Sequence, residues 1–291
     1  MFVITLISAP GLLDPSLVEN LRNAWGGGDA IWLAPDEAAE FTLSSLPQNR
    51  WQVWHDLQDL QIDLIVQPAE NRRKKMLLAD MDSTMIRQEC VDELADHAGV
   101  GARVKDITAR AMNGELDFEE ALHERVALLK GQPAAIIDQV LAERIDLMAG
   151  GKVLLATMRE NGAYAALVSG GFTAFSAAIA AELGFDEHRA NELLVTDGAL
   201  SGKVALPVLG RQAKVDALEQ ITKTLGLSED DVLAVGDGAN DLGMLGRAGT
   251  GAALHAKPSV AAECDIRVNF GDLTALLYLQ GYAQTEFITP N

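Results

Sequence analysis

Residues 76–84 read MLLADMDST, an apolar run that ends on two carboxylates, Asp80 and Asp82, one residue apart. In extended chain, residues two apart point to the same face, so these anions crowd together unless a cation stands between them. The pattern recurs downstream. AYAALVS (163–169) runs into Gly170 and Gly171, and DVLAVGD (231–237) delivers Asp237, with Asn240 and Asp241 close behind; GTGAAL (249–254) and DIRVN (265–269) add two more strands. From Lys75 onward such strands alternate with amphipathic helices, the signature of a parallel sheet covered on both faces, hence an α/β fold. Ligands of open parallel sheets bind at the carboxyl ends of the strands, which is where these polar clusters fall.

Between the first two of these strands, residues from about 86 to 148 show helical patterning and no convincing strand. One crossover helix would be much shorter, so an inserted helical cap is expected. Residues 1–70 follow a different order of strand, helix, two strands, helix and strand, which suits a small α+β domain. Residues 71–291 then form the main domain.

The 291 residues carry 23 Lys and Arg against 42 Asp and Glu, a formal net charge of -19, which argues against a broad nucleic-acid-binding face. The run Arg72-Arg73-Lys74-Lys75 is isolated and reads as a solvated linker. Two cysteines, Cys90 and Cys264, make no framework of bridges or CxxC pair; with no secretory signal in the opening FVITLIS, a reducing, cytoplasmic setting is expected. Residues 163–181 lack charge, but Ser169-Gly170-Gly171 interrupts them, so a buried strand and helix are expected there rather than a membrane span.

Asp80, Asp82 and Asp237 meeting at one rim need a hard cation, and an all-oxygen set with room for water and phosphate suits Mg²⁺. Ser169 and the amides of Gly170 and Gly171 precede Phe172, Phe175, Ile179 and Leu183 at helical spacing, so an anion site at a helix N-terminus is expected. Lys214 opens a further amphipathic helix and offers positive charge to a phosphoryl group. Beside a cation and a phosphate, one carboxylate can act as nucleophile and the other as acid and base. In the cap, Asp117 and Glu120 make a capping-box start, and Phe118, Leu122, Val126 and Leu129 trace an apolar arc with Arg125 in its middle. A charge on such a face needs a partner, either a carboxylate of the cap itself or that of a substrate.

Together, DMDST (80–84), VSGGF (168–172), Lys214 and GDGANDLGML (236–245) resemble the four ordered motifs of the haloacid dehalogenase superfamily of phosphotransferring enzymes. IRQECVDELA (86–95), FEEALHERVALLKG (118–131) and the hairpin LLVTDGALSGKV (193–204) are further similar to the phosphoserine phosphatases. The resemblance covers Lys75 to the C-terminus and implies a Rossmannoid sheet with a helical cap. It implies hydrolysis of O-phosphoserine to serine, the last step of serine biosynthesis, through an aspartyl-phosphate. Asp80 would attack phosphorus and Asp82 would protonate the leaving oxygen. Mg²⁺ would be held by Asp80, the Asp82 backbone carbonyl and Asp237, with Asp241 and Asn240 in support. Ser169, Gly170 and Lys214, with Asn240 beside them, would hold the phosphate; Arg125 would receive the substrate carboxylate and Glu89 its ammonium, with Met112 and Phe118 lining the pocket.

GALSGKV (198–204) falls one residue short of a phosphate-binding loop and is expected to be a hairpin turn. Two rivals stand beside the phosphoserine reading: a phosphatase or phosphotransferase of the same superfamily acting on phosphohomoserine, phosphothreonine or phosphocholine, and a regulatory binding protein without turnover. Residues 1–70 resemble the ACT-like domains that precede some phosphoserine phosphatases, although APGLLD (9–14) departs from their usual Asp-Arg-Pro-Gly loop. Amino-acid sensing and homodimer formation are the roles that resemblance offers.

Overall fold

Residues 2–68 place four strands and two helices in the order β1 (Phe2–Ile7), α1 (Pro15–Trp25), β2 (Ile31–Ala34), β3 (Ala38–Leu43), α2 (Arg50–Gln58) and β4 (Asp63–Pro68). The strands form an antiparallel sheet in the order β2-β3-β1-β4, a split βαβ arrangement. Ile4 and Leu6 of β1 join Leu13, Val18, Phe41, Leu57 and Leu64 in one apolar cluster. Val3, Thr5 and Ile7, which point the other way, are buried as well, so β1 reads as a continuous apolar run. Asp14 caps α1 by accepting from the Ser16 amide at 2.8 Å, Pro15 fills the first helical position, and Gly26 closes the helix at φ +67°. The computed structural model that defines these elements describes residues 1–112 and 115–290, without the side chain of Met112.

After β5 (Met76–Ala79) come helices α3 (Cys90–His97), α4 (Gly101–Met112), α5 (Phe118–Ala127) and α6 (Ile136–Arg144), then α7 (Gly151–Glu160). The chain continues through β6 (Tyr164–Phe172), α8 (Thr173–Leu183), β7 (Glu187–Asn191), β8 (Leu193–Thr196), β9 (Ala199–Val204) and α9 (Arg211–Leu225). It closes with β10 (Val232–Gly236), α10 (Leu242–Arg247), β11 (Thr250–Leu254), α11 (Pro258–Ala261), β12 (Ile266–Val268) and α12 (Ala275–Tyr278). The main sheet has the order β12-β11-β10-β5-β6-β7, and β6 with β7, β10 with β11 and β11 with β12 pair in parallel. Strands β8 and β9 form the expected hairpin, turning at Asp197 and Gly198, both at positive φ.

The chain divides into two compact units. One comprises Met1–Leu78, Ala149–Ala165 and the chain from Leu218 onward; the other comprises Ala79–Met148 and Ala166–Ala217. In the first, the Asp63 carboxylate of β4 accepts from the amides of Asn269 (2.7 Å), Phe270 (3.1 Å) and Gly271 (2.8 Å), and the Tyr278 hydroxyl donates to Glu37 at 2.9 Å. The front sheet is thus joined to the loop after β12 and to α12 by buried polar bonds. In the second, α3 packs on α4 and α6, α4 on α5, and α5 on β9.

Three sequence expectations change. The basic run is no solvated linker: Arg72 is paired with Glu40 at 2.5 Å, Lys74 is buried with its Nζ on the Asp230 carbonyl at 2.7 Å, and Arg73 stacks over Tyr282. β6 continues through Gly170 and Gly171 to Phe172, so α8 starts at Thr173 and the glycine amides belong to a strand end rather than to the helix N-terminus. The strand β7, with sequence EHRAN, has no apolar run to announce it.

Candidate active site

The wholly buried β5 ends at Ala79 and leads into Asp80, which lies in the unit of residues 79–148 and 166–217. The chain then turns tightly, because the amides of Met85 and Ile86 both donate to the Met81 carbonyl, at 2.9 and 3.1 Å. Ser83 sits in this turn at φ +55°, a left-handed conformation that costs a β-carbon residue energy. Its amide donates to the Gln88 carbonyl at 3.2 Å and its hydroxyl to Glu89 at 2.7 Å, which fixes the chain in that shape.

Lys214, in the first turn of α9, places Nζ 2.6 Å from Asp80 Oδ1, and the two side chains are only 2% and 6% exposed. Contact at that distance away from solvent keeps both groups charged, since either alone would be costly to bury. Asp82 accepts from the Cys90 amide at 3.2 Å. Its carboxyl is pushed up to about 7, first by burial and next by the charge of Glu89, against the opposing pull of Cys90 and Lys214. Two carboxylates one residue apart therefore differ in character: Asp80 is held as an anion by a lysine, while Asp82 can take and release a proton near neutrality.

Ser169 is buried within β6, three residues before its end at Phe172, and its hydroxyl accepts from the Gly171 amide at 2.8 Å. Gly171 has no room for a side chain, because a β-carbon would lie 2.6 Å from Asp82 Oδ2 and 3.0 Å from Ser169 Oγ. A β-carbon on Gly170 would lie 3.0 Å from the Phe118 ring, so Phe118, itself 37% exposed, covers the strand end. Asn191, at the end of β7, is buried and binds the Gly170 carbonyl; no sequence signal singled it out.

Within the cap helices of the same unit, the expected capping box is present: Asp117 accepts from the Glu120 amide at 2.8 Å and Glu120 from the Asp117 amide at 3.0 Å. Leu122, Val126 and Leu129 are buried, whereas Phe118 departs from the arc to face Gly170. Arg125 is half-buried, with its Nε donating to the Ala121 carbonyl of its own helix at 3.2 Å. Burial lowers its pKa, while Asp92, Glu89 and Asp82 pull it back up. Asp92, whose carboxyl is raised by burial, is in turn drawn down by Arg125. Glu89 is exposed. The expected contact of the Met112 side chain lies outside the described residues.

In the other unit, the buried strand β10 ends at Gly236, and Asp237 follows it. The Gly238 amide donates to Asp241 Oδ2 at 3.0 Å, and Asp241 is fully buried beside Gly236, where a β-carbon would collide with its carboxylate. Asp237 and Asn240 are half-buried. Among the described residues, carboxylates that could serve a metal ion are offered by Asp80 in the unit of residues 79–148 and 166–217, and by Asp237 and Asp241 in this one. An all-carboxylate set of this kind is hard-oxygen chemistry, which fits a divalent cation such as Mg²⁺ and not a thiolate-seeking metal. Asp241, expected only in support, offers an oxygen of its own; Asp82, expected to serve through its backbone carbonyl, is not among these side-chain donors.

Residues 77–246 match the model of the haloacid dehalogenase-like hydrolases. A phosphoserine phosphatase from Haemophilus influenzae is 46% identical over 204 residues, covering 70% of this chain and 65% of that protein. One from Streptomyces coelicolor is 38% identical over 256 residues, covering 87% of this chain and 62% of its own length. The chain thus spans less than two thirds of either relative. The crystal structure of a HAD family hydrolase from Salmonella enterica serovar Typhi superposes with a TM-score of 0.87 at 28% identity, covering 96% of this chain and 97% of that one. No helix among the described residues is long and apolar enough to cross a membrane.

Proposed function

Because the chain belongs to the haloacid dehalogenase-like hydrolases, we propose that it hydrolyses O-phospho-L-serine to L-serine and phosphate with Mg²⁺, through an aspartyl-phosphate on Asp80. The observation that carries the reading is the contrast between Asp80, paired with Lys214 at 2.6 Å, and Asp82, whose carboxyl is pushed up to about 7. An Asp80 oxygen attacks phosphorus, the bond to the seryl oxygen breaks, and Asp82 gives that oxygen its proton. Asp82 then takes a proton from water, whose oxygen attacks the same phosphorus and frees Asp80 with inorganic phosphate.

Lys214, the Ser169 hydroxyl and the Gly170 amide hold the phosphoryl oxygens, with Asn240 beside them, and Lys214 neutralises charge as it spreads during transfer. Asp80, the Asp82 carbonyl and Asp237 would hold Mg²⁺, with Asp241 bracing them; when bound, the ion would supply further positive charge to the phosphoryl group. Arg125 grips the substrate carboxylate and Glu89 its ammonium, while Met112 and Phe118 line the pocket. The names of the Haemophilus and Streptomyces relatives support this choice of substrate.

The division into residues 1–70 and 71–291, with a cap at about 86–148, is supported by the four-stranded antiparallel sheet that residues 2–68 form among themselves. We assign the front part to dimerisation or amino-acid regulation and the whole protein to the cytoplasm.

The test is phosphate release across phosphoserine, phosphothreonine, phosphohomoserine, phosphocholine and p-nitrophenyl phosphate, with Mg²⁺ and with EDTA. Metal-dependent preference for phosphoserine is expected. Preference for another ester would sink the substrate and leave the chemistry; no turnover of any ester would overturn the enzyme reading.

A further inference from the structure

Asn191 closes β7 at 2% exposure, and its side-chain amide is used three times. Nδ2 donates to the Gly170 carbonyl at 2.8 Å and to the Leu209 carbonyl at 3.1 Å, while Oδ1 accepts from the Leu209 amide at 2.7 Å. One buried amide therefore ties the end of β6 to the segment that leads into α9. On the β6 side, Gly170 follows Ser169 directly. On the α9 side, Leu209 is followed by Gly210, whose carbonyl accepts from the Ala213 amide at 3.1 Å, and Lys214 comes next. The Phe118 ring closes over both ends of the tie: a β-carbon on Gly170 would lie 3.0 Å from it and one on Gly210 3.2 Å.

We infer that Asn191 is a positioning residue: it sets the spacing between the Ser169–Gly170 strand end and Lys214, so that both reach the same phosphoryl group. This rests on the proposed reading of the site. The physical ground is that a buried amide with both donors and its acceptor engaged has one orientation, and its partners are backbone atoms that cannot rotate away. Hydrogen-bond spacing on this scale decides rate, because stabilising charge must already be in place when it develops. Neither Arg125 nor Glu89 bonds to this tie. Asn191 thus governs the phosphate half of the pocket and not the amino-acid half.

The experiment uses the full chain with Mg²⁺ and compares wild type, Asn191→Asp and Gly210→Ala. The first keeps size and the acceptor but removes both donors; the second leaves Asn191 intact and shifts its partner segment against Phe118. For each folded variant, three quantities are read: kcat on p-nitrophenyl phosphate, inhibition by inorganic phosphate, and inhibition by L-serine. For Asn191→Asp the expected result is a fall in kcat of about tenfold or more and a matching loss of phosphate affinity, with serine inhibition unchanged within about twofold; Gly210→Ala, whose β-carbon also meets the pocket-lining Phe118, is judged on kcat and phosphate alone. Equal losses for phosphate and serine, or wild-type values throughout, would overturn the inference. Should Asn191→Asp fail to fold, Gly210→Ala decides by kcat and phosphate inhibition, wild-type values overturning the inference. A wild type that turns over p-nitrophenyl phosphate but not phosphoserine would fail the substrate reading and leave the Asn191 ratios interpretable.

Discussion

Arg125→Ala separates recognition from chemistry. The guanidinium spends one donor on the Ala121 carbonyl, and its remaining nitrogens form the planar fork that suits a carboxylate. Burial lowers its pKa, so its surroundings are poorly screened and an ionic bond there retains much of its strength. Charge-assisted hydrogen bonds contribute roughly 1.5–3 kcal/mol each. Two of them, discounted for the desolvation of the substrate carboxylate, give about 3–4 kcal/mol. At about 1.4 kcal/mol per tenfold, kcat/KM for phosphoserine should fall by roughly 10²–10³. p-Nitrophenyl phosphate has no carboxylate, and its kcat/KM should stay within about threefold. Arg125→Lys, which keeps charge but loses the fork, should fall between. The assay is initial-rate phosphate release on both esters, beside a thermal melt of each variant, because Asp92 loses a compensating charge in Arg125→Ala. Equal losses on the two esters in a folded variant would refute the assignment and leave Arg125 as an internal counter-ion of the cap.

Asp237→Asn should weaken Mg²⁺ binding by at least about tenfold in calorimetric titration, since a hard cation loses an anionic ligand; unchanged affinity would remove Asp237 from the metal set. Asp63→Ala should destabilise the protein by roughly 3–5 kcal/mol in urea unfolding, because three backbone amides lose their buried acceptor, and a loss under about 1 kcal/mol would show that water replaces it. Asp231 is held down to about 2, chiefly by the Ser228 amide and then by Lys75. Its folded pKa lies below the unfolded value of about 3.9, so its contribution is present above pH ~4 and lost as pH falls through about 2. With discount for solvent, Asp231→Asn should cost about 1 kcal/mol at pH 7 and converge with wild type near pH 2; a difference independent of pH would contradict that cause.

The parts of the site legible in the sequence are those where an apolar strand ends abruptly on polar residues. MLLAD, AYAALVS and DVLAVGD are buried strands, and burial on both faces writes itself as an unbroken apolar run. Asp80, Ser169 and Asp237 were therefore found by position. The capping box at Asp117 was legible because it is local. β7 was not: EHRAN, at the edge of the sheet, carries alternating charge in place of apolar residues, and so Asn191 at its end was hidden too. The start of α8 is not legible because glycines ahead of an apolar helical repeat resemble the anion-binding entry to a helix, whereas here Gly171 is dictated by the closeness of Asp82. The basic run misled for the opposite reason: its partners, Glu40, Asp230 and Tyr282, are far away in sequence, and no local pattern reveals a distant counter-ion.

The central claim is that Asp80 becomes covalently phosphorylated by phosphoserine. The most direct measurement is a rapid-quench pulse with ³²P-labelled phosphoserine, acid denaturation and peptide mapping. Label on the peptide containing Asp80 in wild type, labile to hydroxylamine and absent from Asp80→Asn, is the predicted result. Turnover of phosphoserine with no protein-bound label at any quench time, or label that survives in Asp80→Asn, would contradict it.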